Sequence, residues 1–78
     1  MEEKVAEIVS VFRKKGCRIT EQRRQLVSLI VHNPECSCKE LYYLARSDDN
    51  SIGRATVYRT VRALEEFGFV RTRQITLI

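Results

Sequence analysis

The 78-residue chain has a single histidine and no pairing of a nucleophile with a nearby base. Nucleophilic and general acid–base catalysis need such groups held within hydrogen-bond reach of each other, so the sequence does not read as an enzyme. Asp48 and Asp49 fall in the polar stretch Ser47-Asp48-Asp49-Asn50-Ser51, which reads as a loop. No apolar run approaches the roughly 18 residues a membrane span needs, and no membrane partner is expected. Met1, Glu2, Glu3 and Lys4 lead straight into an amphipathic pattern without a signal-peptide segment. A cytoplasmic location is expected. The cysteines are few and odd in number: Cys17, Cys36 and Cys38. A cytoplasmic chain keeps thiols reduced, which argues against a disulfide framework. Internal repeats and low-complexity segments are also lacking.

What is present fits one globular domain with a small core. Chains of this size bury only about 60% of the surface they expose when unfolded. A hydrophobic content of 44% with 31% charged residues is that of a soluble fold rather than a disordered chain. The formal net charge is +4, which suits a polyanionic partner. Its distribution says more. Arg13, Lys14, Lys15, Arg18, Arg23 and Arg24 share a short stretch with a single acid, Glu21, and Arg54, Arg59 and Arg62 fall together later. The acids gather elsewhere, at Glu2, Glu3 and Glu7, at Asp48 and Asp49, and at Glu65 and Glu66. A merely solvated surface mixes the signs.

Periodicity predicts four helices and a strand. The first helix runs over about 2–15, with Val5, Ile8, Val9 and Phe12 in one apolar stripe and Gly16 as its stop. The second runs over 20–32, opened by Thr20, buried through Leu26, Leu29 and Ile30, and closed by Asn33-Pro34. Ser37 and Glu40 form a capping box for a third helix over 37–46, which carries Leu41, Leu44 and Ala45 inward. The fourth spans 53–67, with Val57, Val61 and Leu64 buried, and Gly68 ends it. The Val-, Thr- and Ile-rich segment 69–78, interrupted by Arg71, Arg73 and Thr76, reads as one strand. The fold class is therefore mainly α with a short β segment: a winged helix-turn-helix whose wing is incomplete at the C-terminus.

In such folds a basic helix at the end of the helix pair enters the DNA major groove. Ala55, Tyr58, Arg59 and Arg62 lie opposite the buried stripe of the fourth helix. Arginine forks match phosphate or the edge of guanine, and small Ala55 and Thr56 let the backbone come close. Arg54 and Arg59 occupy the first half of the helix, and Glu65 and Glu66 its exit. A helix selected for stability alone would place these charges the other way round, and a conflict of this kind marks function. The acidic exit repels phosphates, so the N-terminal half is expected to enter the groove.

The segments Gly16-Cys17-Arg18-Ile19-Thr20-Glu21-Gln22-Arg23, Lys39-Glu40-Leu41-Tyr42 and Ile52-Gly53-Arg54-Ala55-Thr56-Val57-Tyr58-Arg59, followed by Leu64 and Gly68-Phe69-Val70, resemble the ferric uptake regulators. These are bacterial metal- or peroxide-responsive repressors. The resemblance covers about 12–70, and the Ala-Thr-Val-Tyr-Arg run is its most specific part. It implies that Tyr58 and Arg59 contact bases and that Ala55 and Thr56 lie against the DNA backbone. It further implies that Lys15 reaches toward the minor groove and that Arg23 holds a phosphate. The family's second domain, which dimerises and holds metals through paired Cys-x-x-Cys motifs, has no counterpart here. The chain is accordingly read as the DNA-binding half of a longer regulator. That regulator is expected to bind zinc, iron or manganese and to dimerise through the missing domain, while the chain itself is expected to be monomeric in dilute solution.

His32, Glu35, Cys36 and Cys38 form a local cluster of groups able to bind zinc. The resemblance places one regulatory ligand near Glu35. Cys-x-Cys with one histidine lacks the spacing of a closed site, so Glu35, Cys36 and Cys38 are candidates only and no cofactor is expected in this chain. Packing of the cysteines as small apolar side chains is the simpler reading. Tyr42 and Tyr43 divide in the same way between a stacking platform for single strands and one core plus one surface residue. Two functions follow from the whole. One is sequence-specific binding of double-stranded DNA; the other is a winged-helix protein–protein module whose basic face meets an acidic partner.

Overall fold

A computed structural model describes residues 2–33, 35–71 and 76–77. Four helices, α1 (Glu2–Lys14), α2 (Glu21–His32), α3 (Cys38–Asp48) and α4 (Arg54–Glu66), precede two short strands, β1 (Val70–Arg71) and β2 (Thr76–Leu77). The ends of the helices follow from local chemistry. Gly16 and Gly68 take φ values of 77° and 82°, the left-handed region that glycine enters without a Cβ penalty. Each lets the next amide reach back to the last turn, Cys17 to Phe12 at 2.9 Å and Phe69 to Leu64 at 2.8 Å. Thr20 Oγ1 accepts from the Arg23 amide at 3.1 Å. The Ser37–Glu40 capping box closes in both directions, at 3.0 and 3.1 Å.

α2 is central and packs against α1, α3 and α4. The stripe Val5, Ile8, Val9 and Phe12 meets Leu26, Val27, Ile30 and Val31 of α2, Leu41 and Ala45 of α3, and Val57, Val61 and Leu64 of α4 in one core. The turn between α3 and α4 is anchored by Ile52, which is buried. Thr60 is also fully buried; its Oγ1 donates to the Thr56 carbonyl at 2.8 Å, so the hydroxyl costs little there.

Three expectations change. α3 runs on to Asp48, so Ser47 and Asp48 are helical, and the tight polar turn begins at Asp49, whose carboxylate accepts from the Ser51 amide at 2.9 Å. Leu44 does not turn inward; it is 37% exposed. α3 packs on α2 and α4 through Leu41 and Ala45, and Leu44 falls beyond the flank they cover. In place of the single strand read over 69–78, β1 and β2 are two strands, with Val70 opposite Leu77 and Arg71 opposite Thr76 in an antiparallel pair. That pairing uses the backbone groups an extended single strand would leave open. Residues 72–75 and 78 lie outside the described residues, as does Pro34; α2 is capped at Asn33, whose amide bonds to the Leu29 carbonyl.

Candidate functional site

The turn at 49–53 and the buried stripe of α4 fix which side of that helix faces outward. Arg54, Ala55, Tyr58, Arg59 and Arg62 are all exposed, and Thr56 sits half-buried at the margin. Tyr58 stands 60% exposed, the most open large hydrophobic among the described residues. It stands beside exposed Arg59 and Arg62 on a helix that buries four other side chains. α4 also opens without an acid in its first turn and without a side-chain cap on Gly53. The macrodipole therefore adds to the positive charge of Arg54 and Arg59 instead of offsetting it.

Lys15 and Arg23 are held at the other end of α4, around an aromatic pair. Phe12 and Phe67 meet edge to face with their centroids 5.1 Å apart. Lys15 Nζ lies 5.5 Å from the Phe67 centroid, and the Arg23 guanidinium 5.5 Å from that of Phe12. Arg23 also donates to the Arg18 carbonyl at 3.2 Å, which closes a small loop between α1 and α2. Eight residues separate Arg59 from Phe67, about 12 Å of helix rise. The predicted site thus divides into an α4 face carrying Ala55, Thr56, Tyr58, Arg59 and Arg62 and a flanking pair, Lys15 and Arg23. Among the described residues the one ion pair is Lys4–Glu7, at 3.4 Å, so none of these basic groups is neutralised by a carboxylate.

Sequence reasoning left Tyr42 between core and surface. The ring is half-buried and packs on the core, while its neighbour Tyr43 is exposed. The Arg46 guanidinium lies 5.6 Å from the Tyr42 centroid and donates to its hydroxyl at 2.8 Å; the Arg54 guanidinium lies 5.2 Å from the same centroid. The hydrogen bond from Arg46 holds the phenol below its ordinary pKa, and the charges of Arg46 and Arg54 act in the same direction. The i, i+4 spacing of Tyr42 and Arg46 is legible in sequence; the approach of Arg54 across the turn is not.

The metal candidates do not gather. Glu35 is exposed and takes φ 66°, a strained value for a residue with a Cβ. Cys36 is buried, and burial pushes its thiol pKa up, with the charge of Glu40 adding to the effect. Burial raises Cys38 likewise. Both shifts disfavour the thiolate, which is the form that binds metal. His32 Nδ1 is engaged with the Ser28 carbonyl at 2.7 Å. Among the described residues no three His, Cys, Asp or Glu side chains form a possible metal site. The donors present here therefore do not fit a metal centre. Treatment with a chelator should leave the circular dichroism spectrum and thermal midpoint unchanged, whereas loss of the fold would make Cys36 and Cys38 structural ligands.

No helix among the described residues is long and apolar enough to cross a membrane. In comparison with known proteins, the model of the ferric uptake regulator family matches residues 14–76. The chain is 32% identical over 72 residues to the ferric uptake regulation protein of Bacillus subtilis (strain 168), covering 90% of this chain and 48% of that protein. It is 36% identical over 59 residues to the ferric uptake regulation protein of Brucella suis biovar 1 (strain 1330), covering 74% of this chain and 42% of the relative. The chain thus spans less than half the length of these curated relatives.

Proposed function

The chain belongs to the ferric uptake regulator family, and from that premise we propose that it binds double-stranded DNA sequence-specifically, as the reading head of a metal- or peroxide-responsive transcriptional repressor. It acts by binding, without catalysis. The observation that carries this reading is the outward face of α4, where exposed Tyr58, Arg59 and Arg62 stand together with no carboxylate partner among the described residues. Tyr58 and Arg59 meet base edges in the major groove, with Arg62 beside them. Ala55 and Thr56 admit the sugar–phosphate backbone. Lys15 extends toward the minor groove, and Arg23, steadied by Phe12 and the Arg18 carbonyl, holds a phosphate. A single head in dilute solution is monomeric and binds a half-site weakly, because the gain of about 10²–10⁴ from linking two heads is missing.

The test is a salt titration on a duplex obtained by binding-site selection and on a scrambled duplex of equal length. Sequence-specific readout persists as a difference in affinity between the two at every salt concentration. Arg23→Ala should weaken both duplexes alike and make the salt dependence shallower by about one unit. Equal affinities that vanish together as salt rises would leave only a basic surface, the property of a module for acidic partners. Sedimentation of the same samples checks the monomer; a tight dimer at micromolar protein would contradict it.

A further inference from the structure

Arg46 and Arg54 come from different helices, yet the fold brings both guanidinium groups to one phenol, 5.6 and 5.2 Å from the Tyr42 centroid. Neither has a carboxylate partner among the described residues. Two cations gathered on a neutral ring repel each other, and the phenol oxygen, which accepts from Arg46 at 2.8 Å and also faces Arg54, carries no formal charge to offset them. The lowered pKa of Tyr42 reports the same imbalance: the cluster favours negative charge at its centre. Beside the ring lies an open groove of about 340 Å³, lined by Cys38, Lys39, Tyr42, Arg54, Val57 and Tyr58. Lys39 adds another cation to its wall, and none of its lining side chains is an acid.

We propose that this groove between α3 and α4 is a phosphate-binding site in which Arg54 and Lys39 take a backbone phosphate of the duplex and Tyr42 is the positioning residue that holds Arg54 in place. The inference rests on the DNA-binding reading and deepens it. Arg54 precedes Tyr58 by one helical turn and Tyr58 lines the same groove, so an anion seated there lies next to the strand that α4 reads. The guanidinium fork matches the paired oxygens of a phosphodiester. Stacking on Tyr42 limits the rotamers of Arg54 before DNA arrives, which lowers the ordering cost of the contact. Arg54 thereby adds affinity without base preference, whereas Arg59 supplies the preference.

The experiment compares the wild-type chain with Arg54→Ala, Tyr42→Phe and, as a reference, Arg59→Ala. Arg54 is exposed and Phe keeps the ring, so unchanged circular dichroism and melting confirm that each variant is folded. Arg54→Ala should weaken selected and scrambled duplexes alike, roughly tenfold near 0.1 M salt, and make the salt dependence shallower by about one unit. Tyr42→Phe keeps the ring but removes the hydroxyl that faces Arg54, and should act in the same sense with a smaller loss. Duplexes carrying one uncharged methylphosphonate at a time should include one position that costs the wild type this factor and costs Arg54→Ala nothing further. Wild-type affinity and salt dependence in both groove variants, with Arg59→Ala still losing its sequence preference, would remove the phosphate site and leave the DNA reading standing. Should the wild type bind no duplex, the DNA reading itself fails, and titration with inorganic phosphate decides the groove. Saturable shifts of the Tyr42 ring and Arg54 Nε–H resonances, with the Tyr42 ring unmoved by phosphate in Arg54→Ala, would support a site for a free phosphorylated ligand. Unmoved resonances would overturn it.

Discussion

Phe12→Ala is expected to lower the unfolding free energy by about 3–5 kcal/mol, the usual cost of emptying a buried aromatic site. Phe12 is fully buried and meets Phe67 edge to face at 5.1 Å. Its loss leaves a cavity where α1, α2 and α4 converge, and helix ends capped on three sides have little freedom to collapse into it. Domains of this size commonly have only about 0.05–0.15 kcal/mol of stability per residue, so the variant stands near the edge of folding. With each kcal/mol worth roughly 4–8 °C for small domains, the thermal midpoint should fall by at least about 12 °C. Tyr43→Ala serves as the control, since Tyr43 is 57% exposed, and should change stability by no more than about 0.5 kcal/mol. Phe12 also underlies the proposed phosphate contact, because Arg23 lies over its ring and Lys15 over that of Phe67. A midpoint within a few degrees of wild type by circular dichroism would mean that the core closes without Phe12.

Arg59→Ala should leave the fold untouched and damage recognition. Arg59 is exposed in the middle of α4, and alanine is the better helix former. Removing a bidentate contact to a base edge costs about 1–3 kcal/mol on the selected duplex, which is roughly 5- to 150-fold in affinity. The scrambled duplex should lose far less, and a repeated binding-site selection should show relaxed preference at one base position. This pattern separates Arg59 from Arg23, whose removal weakens all duplexes together. A selection that returned the wild-type site with undiminished preference would place the reading face elsewhere on the domain.

The two variants probe features of different legibility. The outward face of α4 was readable because a helix repeats every 3.6 residues: once Val57, Val61 and Leu64 are assigned inward, Tyr58, Arg59 and Arg62 must face out, and they do. Leu44 shows the limit of that logic. Its spacing places it near Leu41 and Ala45, but whether a flanking residue is covered depends on how wide the neighbouring helices are and where they cross. Thr60 and Ile52 were missed for the opposite reason: a polar residue and a turn residue carry no periodic apolar signal, and each is buried by its surroundings.

By itself the sequence determined the features settled within a turn or two of chain. These are the capping box at Ser37 and Glu40, the glycine stops at Gly16 and Gly68, the buried stripes, the reversed charge order of α4, and through its motifs the family. Tertiary structure alone decided which distant groups meet. It set the Phe12–Phe67 pair beneath Lys15 and Arg23, brought Arg54 across the turn onto Tyr42 beside Arg46, and paired β1 with β2. The division has a physical cause. Caps and periodicity arise from hydrogen bonds and sterics between near neighbours, which any short window of sequence contains. Contacts between elements depend on crossing angles and on core volumes filled by the whole chain at once, and no local window carries them.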